Sequence, residues 1–132
     1  MKKQKFKQGI YIPKNKYKFK IIKNKQNKGK IFYRSSWEYK FLKWCDYNKN
    51  ISLVISEGVK IPYKYKNKIR NYYPDFLIKL KDKFFLIEIK PKYQVLNEMN
   101  KQKFKSARYY CDKKNFIFKI LTEKELKPLL NS

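Results

Sequence analysis

The sequence predicts one α/β domain of the α+β kind, in which helices cover at least one face of a central mixed sheet. Three observations predict it. The chain has 132 residues, enough for one compact domain with a modest core, and 18% of them are aromatic. Glycine and proline are scarce, at 3 and 5 residues, which favours ordered structure over low complexity. Apolar spacing then switches along the chain between the helical period and the alternation of strands.

The elements follow in order. From Ser35 to about Asn48, Trp37, Phe41, Trp44 and Cys45 recur at i, i+4, i+7 and i+8, which is one helical face. Ser35 and Glu38 open that helix as a Ser-x-x-Glu capping box. Residues 51–57 read as a strand, and residues 59–65 as another that Pro62 confines to an edge or a bulge. Residues 72–80 and 83–90 are apolar, β-rich runs around a Lys-Asp turn, which predicts a hairpin. Residues 95–113 carry Leu96, Met99, Lys103, Ala107 and Tyr110 at helical spacing, with Lys101, Lys105 and Arg108 as a basic face. Residues 115–121 form a last strand, and Thr122 with Glu125 caps a short helix running through Leu130.

Charge constrains the partner. There are 35 Lys plus Arg against 10 Asp plus Glu, a net charge of +25. A Lys/Asn/Ile bias can come from an A+T-rich genome, but that bias does not remove acids. A fold this positive repels itself until a polyanion neutralises it, so nucleic acid is the expected partner. An anionic membrane is disfavoured because the basic segments lack a clean apolar face, and no apolar run reaches the ~18 residues of a membrane span. Residues 1–30 hold twelve lysines and no acid and read as a basic N-terminal arm before a domain over 31–132. Ile10, Tyr11, Ile12, Phe19, Ile21 and Ile22 suggest that the arm docks in part on the body. The N-terminus has no signal-peptide apolar region. Cys45 and Cys111 are two thiols without a framework, and the absence of histidine leaves carboxylate, lysine or metal-activated water for acid–base work.

Two of the ten acids are conspicuous. Asp75 and Glu88 sit in the two most apolar runs, although acids are depleted in strands and costly when buried. Facing each other they repel, and a divalent cation between them removes the repulsion. Glu88 and Lys90 share a sheet face, while Ile87 and Ile89 point to the other. Pro-Asp, twelve residues, then Glu-Ile-Lys suits phosphodiester hydrolysis. The carboxylates would hold Mg²⁺, and Lys90 would orient or deprotonate water or offset transition-state charge. An exposed hairpin with a Glu–Lys pair is the bland alternative. By spacing alone Glu38 is better explained as a helix cap, and Glu57 is equally readable as a ligand or a rim charge.

The helix glutamate, the Pro-Asp strand and the Glu-x-Lys strand, in this order, resemble the PD-(D/E)XK nuclease superfamily. The segments Tyr33-Arg34-Ser35-Ser36-Trp37-Glu38, Ile61-Pro62-Tyr63, Phe85 to Lys92 and Phe118 to Glu123 look like the head-completion nucleases of T-even-type tailed phages. The layout is also similar to the endonuclease subunit of heteromeric transposases. The resemblance covers about residues 30–130 and implies a restriction-endonuclease-like αβββαβ core. It further implies Mg²⁺-dependent DNA cleavage, with Mn²⁺ as a substitute, and it moves Glu38 into the active site beside Asp75, Glu88 and Lys90. The expected DNA contacts are Arg34, Lys92, Lys101, Lys105 and Arg108, reading phosphate rather than base edges and so giving low sequence specificity. A place in the phage head or the host cytoplasm is implied, with head or portal proteins as further partners and a homodimer if both strands are cut. Two readings stay open beside it: a basic DNA-binding head protein that keeps a nuclease fold, and an endonuclease of recombination or transposition.

Overall fold

A computed structural model describes residues 8–20 and 30–130. Its central sheet has five strands in the order β2 (Phe19–Lys20), β4 (Ile51–Ser56), β7 (Phe76–Leu80), β8 (Lys83–Ile89) and β9 (Ile117–Leu121). The three middle strands run antiparallel to one another, whereas β2 on β4 and β9 on β8 are parallel. Helix α1 (Ser36–Tyr47) precedes β4, and α3 (Glu98–Lys114) makes the crossover from β8 to β9 that a parallel pair requires. The predicted mixed sheet with flanking helices is therefore present, in the order α1, β4, β7, β8, α3, β9.

Strand alternation divides the core into two layers. Phe76, Ile78, Ile87 and Ile89 face one side, with Phe41, Leu42 and Cys45 of α1 and Leu126 of α4 (Glu123–Leu130). Leu77 and Leu86 face the other, with Phe104, Ala107 and Cys111 of α3. On that second side lies a separate two-stranded ribbon, β5 (Ile61–Tyr65) and β6 (Lys68–Tyr72), which contributes Ile61, Tyr63 and Tyr72. Cys45 and Cys111 are buried free thiols.

Helix α1 starts where the capping box places it, with Ser35 Oγ accepting from the Glu38 amide at 3.2 Å. Its buried face is Phe41, Leu42, Cys45 and Asp46, so Trp37 and Trp44 lie at the edge of the core. The second box also forms: Glu125 accepts from the Thr122 amide at 2.8 Å and Thr122 Oγ1 from the Lys124 amide at 3.2 Å. The β7–β8 hairpin turns at Lys81-Asp82 as expected, Lys81 taking a positive φ of 56°.

Three expectations are corrected. Residues 72–80 are not one strand. Tyr73-Pro74-Asp75 break them, so Tyr72 closes β6 and Phe76 opens β7. Residues 59–65 do not stand alone: residues 66–71, to which the sequence assigns no element, add the turn and the outer strand of the ribbon. Lys66 and Asn67 hold positive φ values of 50° and 61°, the conformation of a tight two-residue hairpin turn, and Pro62 sits opposite Asn71 on β5. The helix expected from residue 95 is divided into α2 (Lys92–Val95) and α3, because Asn97 caps the second by accepting from the Asn100 amide at 2.8 Å. Leu96 thus falls in the break, 74% exposed, rather than on the packed face.

The described part of the basic arm is built into the body. Strand β1 (Gly9–Tyr11) pairs with β3 (Ile31–Tyr33), and a 3-10 turn at Lys16–Lys18 leads into β2. Tyr11 and Phe19 join the core while Ile10 and Ile12 stay exposed; Ile21 and Ile22 lie outside the described residues. Asp46, 0% exposed, anchors this segment to the end of α1. It accepts from Tyr11 Oη at 2.6 Å and from the amides of Lys14 and Asn15 at 2.8 and 2.9 Å. Lys18 is buried too, and its Nζ donates to the carbonyls of Cys45, Asp46 and Asn48 at 2.8, 2.9 and 2.8 Å. A cation is favoured there because the last carbonyls of a helix carry the negative end of its dipole and have lone pairs to spare. No helix among the described residues is long and apolar enough to cross a membrane.

Burial alone would raise the Asp46 pKa, but the hydrogen bonds from Tyr11, Lys14 and Asn15 outweigh it and hold the carboxyl below its usual range. Asp46→Ala orphans several buried donors and is expected to lower unfolding stability by about 3 kcal/mol in a urea titration. The ionised Asp46 contributes fully above the unfolded aspartate pKa of about 3.9, and its contribution fades as pH falls through the lower folded value. The stability gap between wild type and Asp46→Asn should therefore narrow below about pH 4.

Candidate active site

The break at Tyr73-Pro74-Asp75 builds the site. Pro74 is fully buried and fixes the bend. The Asp75 carbonyl accepts from the Glu57 amide at 2.9 Å, and its Oδ2 accepts from the Ile89 amide at 2.7 Å. Asp75 therefore does not lie inside a strand as expected. It sits at the mouth of β7, tied to the end of β8 across the hairpin.

Glu88 is 5% exposed, on the sheet face toward α3. Its Oε1 accepts from Tyr72 Oη at 2.7 Å, and its Oε2 lies 3.4 Å from Lys90 Nζ. Lys90 continues beyond β8, its amide donating to the Leu121 carbonyl at 3.0 Å. Glu38 comes from the first turn of α1 and accepts from the Arg34 amide at 3.0 Å. This is a capping contact one residue upstream of the usual partner, so Glu38 caps the helix and lies in the field of Glu57 and Glu88 as well. Glu57, which follows β4 with a positive φ of 50°, pairs with the Arg34 guanidinium.

Burial raises the Asp75 pKa well above the usual carboxylate range, and the neighbouring charges of Glu88 and Glu38 add to it, against the Ile89 amide and Lys90. Burial also raises Glu88, with Lys90 and Tyr72 opposing, and it raises Glu38, with Arg34 opposing. Three acids thus crowd one place with too little compensation. Among the described residues no three potential ligands converge closely enough to form a preassembled metal cluster. The donor chemistry nevertheless fits a hard divalent cation, since every candidate ligand is a carboxylate oxygen and the repulsion is what such an ion removes.

Of the expected site residues, Asp75, Glu88, Lys90 and Glu38 come together. Arg34 joins them, but its guanidinium is engaged by Glu57 and lies 5.5 Å from the Phe32 ring. Lys92 is exposed at the start of α2, its amide bonded to Glu123 at 2.7 Å. Lys101, Lys105 and Arg108 form one exposed stripe on α3. At about 100° per residue that stripe lies on roughly the opposite side of the helix from Lys103, so the structure does not bring it to the acids. Lys101 pairs with Glu98 at 3.8 Å.

Two neighbours of the acids escaped the sequence reading. Tyr72 looked like an ordinary strand aromatic, although it stands three residues before Asp75. Lys103 was visible as a lysine within the apolar register Met99, Lys103, Ala107, and that anomaly was the available signal.

A helix glutamate, a Pro-Asp bend and a Glu-x-Lys strand meeting on a mixed sheet define a nuclease of the PD-(D/E)XK class. The family model for the TnsA-like endonuclease N-terminal domain matches residues 35–123, and the chain belongs to that family. It is also 34% identical to the head completion nuclease of Enterobacteria phage T4 over 146 aligned residues, spanning 92% of this chain and 94% of that protein.

Asp75→Asn keeps an acceptor for the Ile89 amide and removes a half-buried, repelled charge. In EDTA the variant is expected to be more stable than wild type by about 1–2 kcal/mol, seen as a melting temperature higher by about 3–8 °C. A lower melting temperature would show that the acids are not in conflict.

Proposed function

We propose that the protein is a divalent-metal-dependent DNA endonuclease acting in phage head completion, with low sequence specificity. The observation that carries this reading is the half-buried Asp75 and the buried Glu88, which repel each other beside Lys90. Such a pair is unfavourable for stability and finds its use in holding a cation. Asp75, Glu88 and Glu38 would hold Mg²⁺, with Mn²⁺ able to replace it. When bound, the ion supplies Lewis-acid activation of the phosphodiester and of the attacking water.

The chain's own groups do the rest. Lys90, held toward Glu88, positions the water or takes its proton, and its charge offsets the negative charge that grows on the phosphate. Tyr72 fixes the Glu88 carboxylate by donating to Oε1. Arg34, Lys92, Lys101, Lys105 and Arg108 serve as phosphate contacts, and a surface dominated by lysine grips any sequence by its backbone. The name of the phage relative supports a role at the head, in the virion or the host cytoplasm, with head or portal proteins as partners. Cutting both strands would call for two copies. The nuclease motifs fall within 31–132, and residues 1–30 form a basic extension of that domain whose residues 8–20 add strands β1 and β2 to it.

The test is cleavage of linear, nicked, branched and single-stranded DNA. Wild type should cut with Mg²⁺ or Mn²⁺ and not in EDTA, and Lys90→Ala should cut about 10²–10⁴-fold more slowly. If wild type cuts no DNA and Asp75→Ala completes heads normally, the enzyme reading fails. The net charge of +25 favours a second reading, a DNA-binding head protein without activity. It predicts no Ca²⁺-induced rise in melting temperature that Asp75→Ala abolishes.

A further inference from the structure

We propose that Lys103 is a phosphate ligand of this site, contacting a non-bridging oxygen of the DNA at or beside the bond to be cut; the proposal rests on the nuclease reading above.

Helix α3 crosses the sheet face that carries Leu86 and Glu88, burying Asn100, Phe104, Ala107 and Cys111. Lys103 precedes Phe104 and lies at the edge of that buried face, on the side of the β5–β6 ribbon. Its Nζ sits 5.5 Å from the Tyr72 ring centre and 6.0 Å from that of Tyr63. Tyr72 is the residue whose hydroxyl holds Glu88, so the seat of Lys103 is part of the site.

The manner of seating matters. A ring face attracts an ammonium through its quadrupole and leaves the three N–H donors unspent. Among the described residues the Lys103 ammonium makes no hydrogen bond and has no carboxylate within 4 Å, whereas Lys90 is committed to Glu88 at 3.4 Å. Lys103 still lies in the field of the same groups. Burial lowers its pKa first and Lys90 lowers it further, while Glu88 and Asp75 pull it up. A half-buried cation that neighbours two acids without pairing to either has donors reserved for a third anion.

A phosphodiester oxygen is the anion that a nuclease brings there. Negative charge grows on the non-bridging oxygens as the nucleophile attacks, so a lysine aimed at them binds DNA and stabilises the transition state further. As a point charge it reads no base. The competing role is a countercharge for Glu88 and Asp75, which requires no contact with DNA.

Lys103→Met keeps the stem and removes the charge; Lys103→Gln is a second neutral variant should the first fold poorly; Lys103→Arg retains the charge. Each full-length variant is measured for binding to a duplex across a salt series with Ca²⁺, for single-turnover cleavage with Mg²⁺, and for melting temperature. The neutral variants should melt like wild type, lose about 0.9 from the slope of log affinity against log salt, as for one lost phosphate contact, and cut about 10–100-fold more slowly. Lys103→Arg should recover the slope and part of the rate. An unchanged slope in the neutral variants overturns the proposal, whatever happens to cleavage or stability, since a mere countercharge leaves the slope alone. If wild type itself cuts nothing, the nuclease reading fails separately, and the slope still decides whether Lys103 meets DNA.

Discussion

Phe76 stands opposite Ile87 across the β7–β8 hairpin, and that register decides which side chains meet which helix. With Ile87 and Ile89 packed toward α1, Leu86 and Glu88 must face α3, because neighbours in a strand point to opposite sides. A slip of one residue would put Glu88 into the apolar layer with Phe41 and leave Ile87 beside Tyr72. The same pairing carries the β8 terminus to Asp75, where the Ile89 amide reaches the carboxylate. The acids are therefore fixed by the apolar residues around them, and the site is a by-product of a core that has only one good register.

Two aspartates, Asp46 buried and Asp75 half-buried, show how differently one side chain can be treated. Asp46 receives a hydroxyl and two backbone amides, and its carboxyl is held below the usual range. Asp75 receives one amide and faces other acids, so its carboxyl is raised. The first is satisfied by the fold itself and fastens residues 8–20 to the end of α1. The second is left in deficit even with Lys90 and Lys103 nearby, and in a protein this basic that requires most of the other lysines to lie elsewhere. The stripe of Lys101, Lys105 and Arg108 on the far side of α3 fits that arrangement.

Much of the fold was legible because its signals are local. The α1 capping box, the apolar periodicity of that helix and the apolar runs of β4, β7 and β8 each declare themselves within a few residues. Strand β6 did not, since Lys68 to Asn71 are exposed and carry no alternation. The partnering of β2 with β4 and of β1 with β3 depends on contacts distant in sequence. In the site, Asp75, Glu88 and Lys90 could be read from their improbable setting in apolar strands. Glu38 could not be separated from a cap by spacing, and the structure explains why, since it is a capping residue that also faces the acids. Tyr72 and Lys103 enter through tertiary packing of the ribbon against α3, which no spacing rule reports.

The short strand β2 has a consequence beyond holding the N-terminal segment. Phe19 and Lys20 pair with Val54 and Ile55, covering a stretch of β4 that would otherwise offer free amides and carbonyls at the side of the sheet. While the protein is free, its charge keeps copies apart. If DNA neutralised that charge, copies would crowd along one polyanion at high local concentration, and open strands would invite them to join edge to edge. Covering β4 guards against self-association in the state where repulsion no longer does.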